Sequence, residues 1–326
     1  MDASFWIDRP VLITGCTGLT GSWLSSRLLD FGANVVGLIR DHVPRSQLTY
    51  SGIISKISTV NGDICDYELL ERILAEYEID TIFHLAAQTI VSIANRAPLS
   101  TFETNIKGTW TLLEAARRNP TVQQILVAST DRVYGDQVSF PYVEDMALFG
   151  SHPYDVSKGC ADLISLAYVQ TFDLPLVITR STNIYGGGDL NWNRLIPGSM
   201  RSVVRGQRPV IRSDGSFRRD YVFVKDVICG YMTAAEKLQA DSLKGQVFNL
   251  GTDQPTSVLD VVKTIIDVSG NPRLDPLILD EENKEVLDKH VDSSKAKELL
   301  GWDPQFNLRS GLNLTLDWYR KYLVVS

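Results

Sequence analysis

The sequence predicts an α/β protein built on a doubly wound parallel sheet, with a smaller mixed α/β lobe beside it. Two observations predict this. Short, nearly continuous apolar runs alternate with amphipathic stretches through the N-terminal half, as in a parallel sheet covered on both faces. The first apolar run ends in a glycine-rich turn that opens directly into a helical pattern.

"VLITG", Val11 to Gly15, reads as the first strand. From Ser22 to Phe31 the apolar residues Trp23, Leu24, Leu28 and Leu29 fall at helical spacing. Further strands are expected at "ANVVGLIR" (33–40), "STVNGD" (58–63), "TIFHLAA" (81–87) and "QILVAST" (124–130), with helices such as "YELLERILAEY" and "NIKGTWTLLEAARR" between them. This is a Rossmann-type order, and ligands of such sheets sit at the carboxyl ends of the strands. After "LPLVITRSTNIYGGGD" (174–189) the texture changes, because Gly186, Gly187 and Gly188 break the chain. "QVFNLGT" (246–252) then reads as one more strand of the main sheet. Residues 1–184 with 220–252 are therefore expected to form the Rossmann-type domain, and 185–219 with 253–326 the lobe over the strand ends.

Composition excludes several classes of function. A chain of 326 residues with 44% hydrophobic residues can build a substantial core. A formal net charge of -7 without a long basic block argues against nucleic acid or an anionic membrane as the main partner. Cys16, Cys65, Cys160 and Cys229 lie far apart with no C-x-x-C spacing, which suits small core residues in a reducing compartment. The four histidines are scattered, so no metal site is expected. No basic leader followed by an apolar stretch opens the chain, and a cytoplasmic location is the expectation.

In "TGCTGLTG", Gly15, Gly18 and Gly21 sit between strand and helix. Glycine tolerates positive φ and lets backbone N–H groups approach a pyrophosphate, whose charge is favoured at the helix N-terminus. The turn predicts a bound dinucleotide, NAD or NADP. At the end of the second strand an acidic residue suits a ribose 2′-hydroxyl and a basic one a 2′-phosphate. "LIRD" offers both: Arg40 leans toward NADP, and Asp41 serves NAD if turned inward.

Tyr154 and Lys158 in "YDVSK" are one helical turn apart and share a face. A nearby ammonium favours the phenolate, so the pair is expected to act as a base near neutrality. Together with the glycine turn and Thr130 at the end of the fifth strand, these residues carry a resemblance. The chain resembles the extended short-chain dehydrogenase/reductase family acting on nucleotide sugars, through "TGCTGLTG", "GDICD", "HLAAQ", "TNIKGT", "STDRVYGD", "YDVSK", "RSTNIYG", "NRLIP" and "RRDYVFVKD". The resemblance implies hydride exchange between a tightly bound nicotinamide and C4 of a hexose, with Thr130, Tyr154 and Lys158 as the triad. It implies cofactor contacts from Gly15, Thr17, Gly18, Leu19, Thr20 and Gly21 in the turn, and from Asp63 and Ile64 at the adenine. It adds Leu85, Ala86, Ala87 and Gln88 after the fourth strand, and Asn105, which supports the lysine through water. On the substrate side it implies Gln88, Asn183, Arg194, Leu195 and Arg219, the last gripping a nucleotide diphosphate, with Arg218 left on the surface. It also implies a homodimer through the helices of "TFETNIKGTWTLLEAARR" and "DVSKGCADLISLAYV".

"STDRVYGD" then bears on the reaction. In the 4,6-dehydratase branch the residue after the Thr is an Asp that protonates the departing C6 hydroxyl, and the next holds the C5 base. Asp131 matches the acid, and Arg132 echoes the basic residue of the branch resembling CDP-glucose 4,6-dehydratase. A guanidinium is a poor general base, which leaves Tyr154 or a water held by Arg132 for that proton. The expectation is a nucleotide-sugar 4,6-dehydratase. A 4-epimerase, a 4-keto reductase and a non-catalytic dinucleotide sensor stay open beside it.

Overall fold

The computed structural model describes residues 2–137, 139–238, 243–281 and 286–325. Its central sheet holds seven parallel strands: β1 (Pro10–Thr14), β2 (Asn34–Ile39), β3 (Ser58–Asn61), β4 (Thr81–His84), β5 (Gln124–Thr130), β6 (Leu176–Ser181) and β7 (Val247–Leu250). Their order is β7-β6-β5-β4-β1-β2-β3. The winding direction reverses between β1 and β4, which leaves a crevice at their carboxyl ends. Thr14 and His84, the last residues of these two strands, lie level in the register.

Alternation along the strands explains the two-sided core. Val11 and Ile13 of β1 join one apolar cluster and Leu12 the other, because successive side chains leave a strand on opposite faces. The Leu12 face is covered by three helices: α2 (Tyr67–Glu76), α3 (Gly108–Arg118) and α4 (Pro153–Phe172). The Val11 face packs on α1 (Leu19–Asp30) and α6 (Val224–Lys237). The same cluster continues through α5 (Leu195–Val204), α7 (Val258–Ser269) and α8 (Leu308–Val325). The C-terminal elements thus share a core with the sheet. Beside them Arg218–Arg219 forms the middle of a small three-stranded ladder, between Thr256–Ser257 and Asp288–Lys289.

One helix departs from the simple pattern. The stretch read as a single amphipathic helix holds a π-turn, Glu103–Lys107, between Pro98–Phe102 and α3. Such single-turn insertions frequently mark functional sites. Asn105 lies within it, 1% exposed.

The glycine turn shows how tightly sequence dictates geometry here. Gly15 has φ of +75°, and a Cβ there would lie 2.8 Å from the backbone of Leu85 and Ala86. At Gly21, in the first turn of α1, a Cβ would lie 2.3 Å from the Gly15 carbonyl oxygen. Helix and turn can approach this closely only without a side chain. Gly21→Ala is therefore expected to destabilise the protein by about 1–3 kcal/mol, the usual cost of overpacking against atoms that cannot yield. Urea titration should show a lower midpoint at unchanged slope. An unchanged midpoint would mean that α1 shifts freely against the turn.

Candidate active site

The dinucleotide cradle is built from backbone. Gly18 is the N-cap of α1 and has no side-chain capping bond, so the first N–H groups of a twelve-residue helix face outward unspent. No acidic residue occupies that first turn. Thr17, Leu19 and Thr20 line the same turn, partly exposed. These features fit a pyrophosphate at the positive end of a helix. At the adenine side Asp63 is exposed and its carboxylate accepts from the Cys65 N–H at 2.8 Å. Ile64 is buried under Gly108, where a Cβ would come within 2.5 Å of it. Arg40 sits beyond β2 with its Nε donating to Asp41 Oδ2 at 2.7 Å, both side chains more than half exposed.

A buried chain of hydrogen bonds ties this cradle to the π-turn. Thr14 Oγ1 accepts from the N–H groups of Leu85 and Ala86, both at 3.1 Å. Its one proton therefore goes to His84 Nδ1, 2.9 Å away. Thr109 Oγ1 spends its own proton on the Asn105 carbonyl at 2.7 Å, so His84 Nε2–H donates to it at 3.0 Å. The partners thus assign His84 as the neutral Nε2–H tautomer. Burial agrees, pushing the imidazole down to about 3. Asn105 in turn grips the Gln88 backbone on both sides: its Oδ1 accepts from the Gln88 N–H at 2.7 Å and its Nδ2 donates to the Gln88 carbonyl at 3.2 Å. The same Nδ2 donates to Ser157 Oγ at 2.9 Å, next to Lys158. Ala87 and the Gln88 side chain, whose Oε1 accepts from the Ile90 N–H at 3.1 Å, continue this loop.

Thr130, Asp131 and Arg132 form the turn that closes β5. Thr130 Oγ1 donates to Asp131 Oδ1 at 3.1 Å and accepts from the Arg132 N–H at 3.3 Å. Burial raises the Asp131 carboxyl above its ordinary value, against the pull of Arg132, the Thr130 hydrogen bond, Lys289 and Arg219. Arg132 is held in a fork by Asp155 of α4, through Nε to Oδ1 at 2.7 Å and Nη2 to Oδ2 at 3.4 Å. Its guanidinium is a clamp and a fixed positive charge, as its chemistry favours.

The Tyr154 and Lys158 pair behaves otherwise than expected. Lys158 Nζ donates to the Ala128 carbonyl at 2.6 Å, and burial lowers its ammonium to about 8. Burial pushes the Tyr154 phenol up to about 12, with Arg194 and Arg132 the cations that oppose the rise. The expected lowering of the phenol by Lys158 is thus overturned in this structure. Desolvation disfavours the charged form of both groups and outweighs the surrounding charges.

On the substrate side the three-stranded ladder separates its two arginines. In the parallel register Arg218 lies beside Asp288 and Arg219 beside Lys289. Arg218 reaches Asp288 at 3.7 Å on the exposed face. Arg219, on the opposite face, acts on Asp131 and Tyr221. Arg194 caps the start of α5, where Leu195 is the first residue, and its Nη1 pairs with Asp189 at 2.9 Å. Asn183 is exposed, and its Nδ2 donates to the Asp220 carbonyl at 3.1 Å. Thr130, Asp131, Arg132, Tyr154, Arg194 and Arg219 therefore come together by charge and contact, while Arg40 lies apart with Asp41. Among the described residues no group of three or more His, Cys, Asp or Glu side chains is placed to hold a metal. No described helix is long and apolar enough to cross a membrane.

Several residues of the site escape sequence reading. His84 stands in the quoted "HLAAQ", yet only its partners reveal its role. Asp155 looks like a helix-start carboxylate until Arg132 is found on it. Asp162, one turn beyond Lys158, forms a fully buried ion pair with Arg180 of β6 at 2.9 Å. Lys289 comes from the far end of the chain, and no local pattern singles it out.

The comparisons accord with this geometry. The family model described as GDP-mannose 4,6 dehydratase matches residues 12–315. CDP-glucose 4,6-dehydratase of Salmonella typhimurium is 31% identical over 99% of this chain and 94% of that protein. Among solved structures, UDP-glucose 4-epimerase of Thermotoga maritima with UDP-glucose superposes with a TM-score of 0.87 at 29% identity, covering 96% of this chain and 99% of that one. dTDP-glucose 4,6-dehydratase of Bacillus anthracis in complex with NAD superposes with a TM-score of 0.83 at 26% identity, covering 96% and 97%. With a family model spanning most of its length and its strand ends carrying the matching turns, this chain belongs to the GDP-mannose 4,6 dehydratase family, within the nucleotide-sugar dehydratase and epimerase group of short-chain dehydrogenase/reductases.

Proposed function

We propose that this protein is a nucleotide-sugar 4,6-dehydratase that converts an NDP-hexose to the NDP-4-keto-6-deoxyhexose. The observation that carries the reading is Asp131: buried, raised toward its protonated form and hydrogen-bonded by Thr130 at the end of β5. A carboxyl whose neutral form is favoured by burial is suited to giving a proton in the reaction. A bound NAD(P) would accept hydride from C4 and return it to the sugar in the same turnover. The residues of this chain then handle protons and charge. Tyr154, oriented by α4, takes the C4 hydroxyl proton as its phenolate, the form that Arg194 and Arg132 favour against burial. Arg132 favours the enolate formed when the C5 proton leaves. The C5 proton passes to a water held by Arg132, its electron pair becomes the C5=C6 double bond as the C6–O bond breaks, the hydroxyl departs as water with the Asp131 proton, and C5 regains a proton from solvent as the hydride returns to C6.

Residues 185–219 with 253–326 are assigned to the sugar nucleotide, with Arg219 and Asn183 toward its diphosphate and Arg194, Leu195 and Gln88 beside the sugar. The Salmonella relative supports a CDP-glucose-like substrate. NAD is supported as cofactor by the Bacillus relative, in complex with NAD, and by the engagement of Arg40 with Asp41. A homodimer is supported by an exposed apolar surface on the neighbouring helices α3 and α4, where Trp110, Leu163 and Phe172 are 44%, 61% and 49% exposed. A second reading, a 4-epimerase, is favoured by Arg132, which supplies no base for C5, and by the likeness to the Thermotoga enzyme.

Four expected outcomes test these readings. Asp131→Asn should still oxidise C4, so that reduced cofactor accumulates spectroscopically, but should eliminate water about 10²- to 10⁴-fold more slowly. The parent protein incubated in D₂O should leave deuterium at C5 of a product that has lost its C6 hydroxyl. A product inverted at C4, with its hydroxyl intact and no solvent deuterium, makes the protein an epimerase. Arg40→Ala should change NAD affinity by less than about twofold, since an exposed pair is worth little. Tighter NADP binding in the parent, lost by about 1.5–3 kcal/mol in the variant, would assign Arg40 to a 2′-phosphate. Leu163→Arg should convert a dimer to a monomer by light scattering, and an unchanged mass would remove that surface from the interface.

A further inference from the structure

Lys289 is a charged side chain buried to 9% of its exposed area, in a two-residue strand of the C-terminal lobe. Its Nζ meets Asp136 Oδ1 at 2.5 Å, and Asp136 belongs to the segment that follows Thr130 and Asp131. Around it the lobe is laced to that segment. The Tyr142 N–H donates to the His290 carbonyl at 3.0 Å, the Asp292 N–H donates to the Tyr142 carbonyl at 2.9 Å, and the Tyr142 hydroxyl donates to the Gly135 carbonyl at 3.0 Å. Val133, Tyr134, Tyr142 and Val291 close a small apolar cluster over the joint.

The ladder register gives Lys289 its direction. Adjacent residues on neighbouring parallel strands share a face, so Lys289 lies on the face of Arg219, while Asp288 and Arg218 pair on the other. The Arg219 face is the one that meets the catalytic turn. The groups around Asp131 are Thr130 and Arg132 on its own turn, Tyr154 from α4, Tyr142 from the following loop, and Arg219 and Lys289 from the ladder. Asp136, the partner of Lys289, is also acted on by Arg132 and itself bears on Tyr142.

We propose that Lys289 is a positioning residue of the elimination step: it docks the C-terminal ladder onto the catalytic turn through Asp136 and supplies, beside Arg219, the charge against which Asp131 releases its proton. The inference rests on the dehydratase reading for the step it serves. Its physical basis is that an ammonium near a buried carboxyl favours the carboxylate. Burial makes the Asp131 carboxyl hold its proton more firmly, and the neighbouring cations oppose that. A cation on a strand that belongs to the substrate lobe ties the strength of the acid to the closeness of that lobe.

The test uses the full-length protein with its bound cofactor. Selective ¹³C labelling of aspartate side chains, with Asp131→Asn to assign the signal, follows the Asp131 carboxyl through a pH titration. Lys289→Met should move its midpoint to a pH about one unit higher, the lower end of what a nearby opposite charge produces. Lys289→Arg should restore it, and Lys289→Gln serves if the methionine variant fails to fold. In single turnover Lys289→Met should keep C4 oxidation within about threefold while water loss slows about tenfold, a part of the full general-acid contribution. The alkaline limb of the elimination profile should move upward with the carboxyl midpoint. An unmoved midpoint, or equal loss of oxidation and elimination, overturns the proposal. A parent protein that releases no water while the midpoint still responds to Lys289 defeats the dehydratase reading and leaves the electrostatic coupling standing.

Discussion

Desolvation at the carboxyl ends of β4 and β5 is the constraint on which the site depends. It acts on His84, Asp131, Tyr154 and Lys158 together, and in every case it favours the neutral form. An acid becomes a proton holder, and an ammonium becomes easy to neutralise. The floor of the crevice therefore carries little fixed charge of its own. Cations are supplied at its rim by Arg132, Arg194, Arg219 and Lys289, which arrive from four different segments of the chain. Reactivity is then decided by how closely those segments approach.

Helix α4 turns this constraint into a rigid arrangement. Its first turns present Tyr154 to the site and Asp155 to Arg132, then Lys158 to the Ala128 carbonyl of β5 and Asp162 to Arg180 of β6. Three attachments along one helix stop it rotating or sliding against the sheet. The Asp162 and Arg180 pair is fully buried, where breaking one partner costs far more than the pair contributes. Tyr134 adds to the same network, accepting from Arg180 Nη1 at 2.9 Å and donating to Asn249 Oδ1 of β7 at 2.7 Å. The catalytic helix is thus bolted to three adjacent strands. On the far side of the crevice the Thr14, His84 and Thr109 chain does the same for the glycine turn and Asn105.

The sheet was legible because parallel strands buried on both faces leave continuous apolar runs: each of the six expected runs forms a strand, and Leu176–Ser181 adds the seventh. Gly15 and Gly21 were legible because backbone geometry there admits nothing else. The lobe ladder was not, since strands of two residues carry no periodicity to detect. Burial explains the rest of what stayed hidden. Spacing puts Tyr154 and Lys158 on one face, but how far each is removed from water depends on packing from distant segments. The phenol consequently moves up rather than down. Arg132 was read as a residue of the chemistry, and only the fold reveals Asp155 as its partner.

The same arrangement accounts for a family that holds both dehydratases and epimerases. On the proposed reading, oxidation at C4 draws on Tyr154, Lys158 and the dinucleotide cradle, which belong to the sheet and to α4. The proposed elimination adds two demands, an acid for C6 and stabilisation of charge at C5, and the reading assigns both to the short turn after Thr130. That turn is held by Asp155 of α4 through Arg132 and, through Asp136, by the C-terminal ladder. Changing the outcome of the reaction therefore requires no change in the sheet. It requires only that two side chains after Thr130, and the cations that face them, be rearranged. Asp131 and Lys289 are far apart in sequence, yet the ammonium of one bears on the carboxyl of the other.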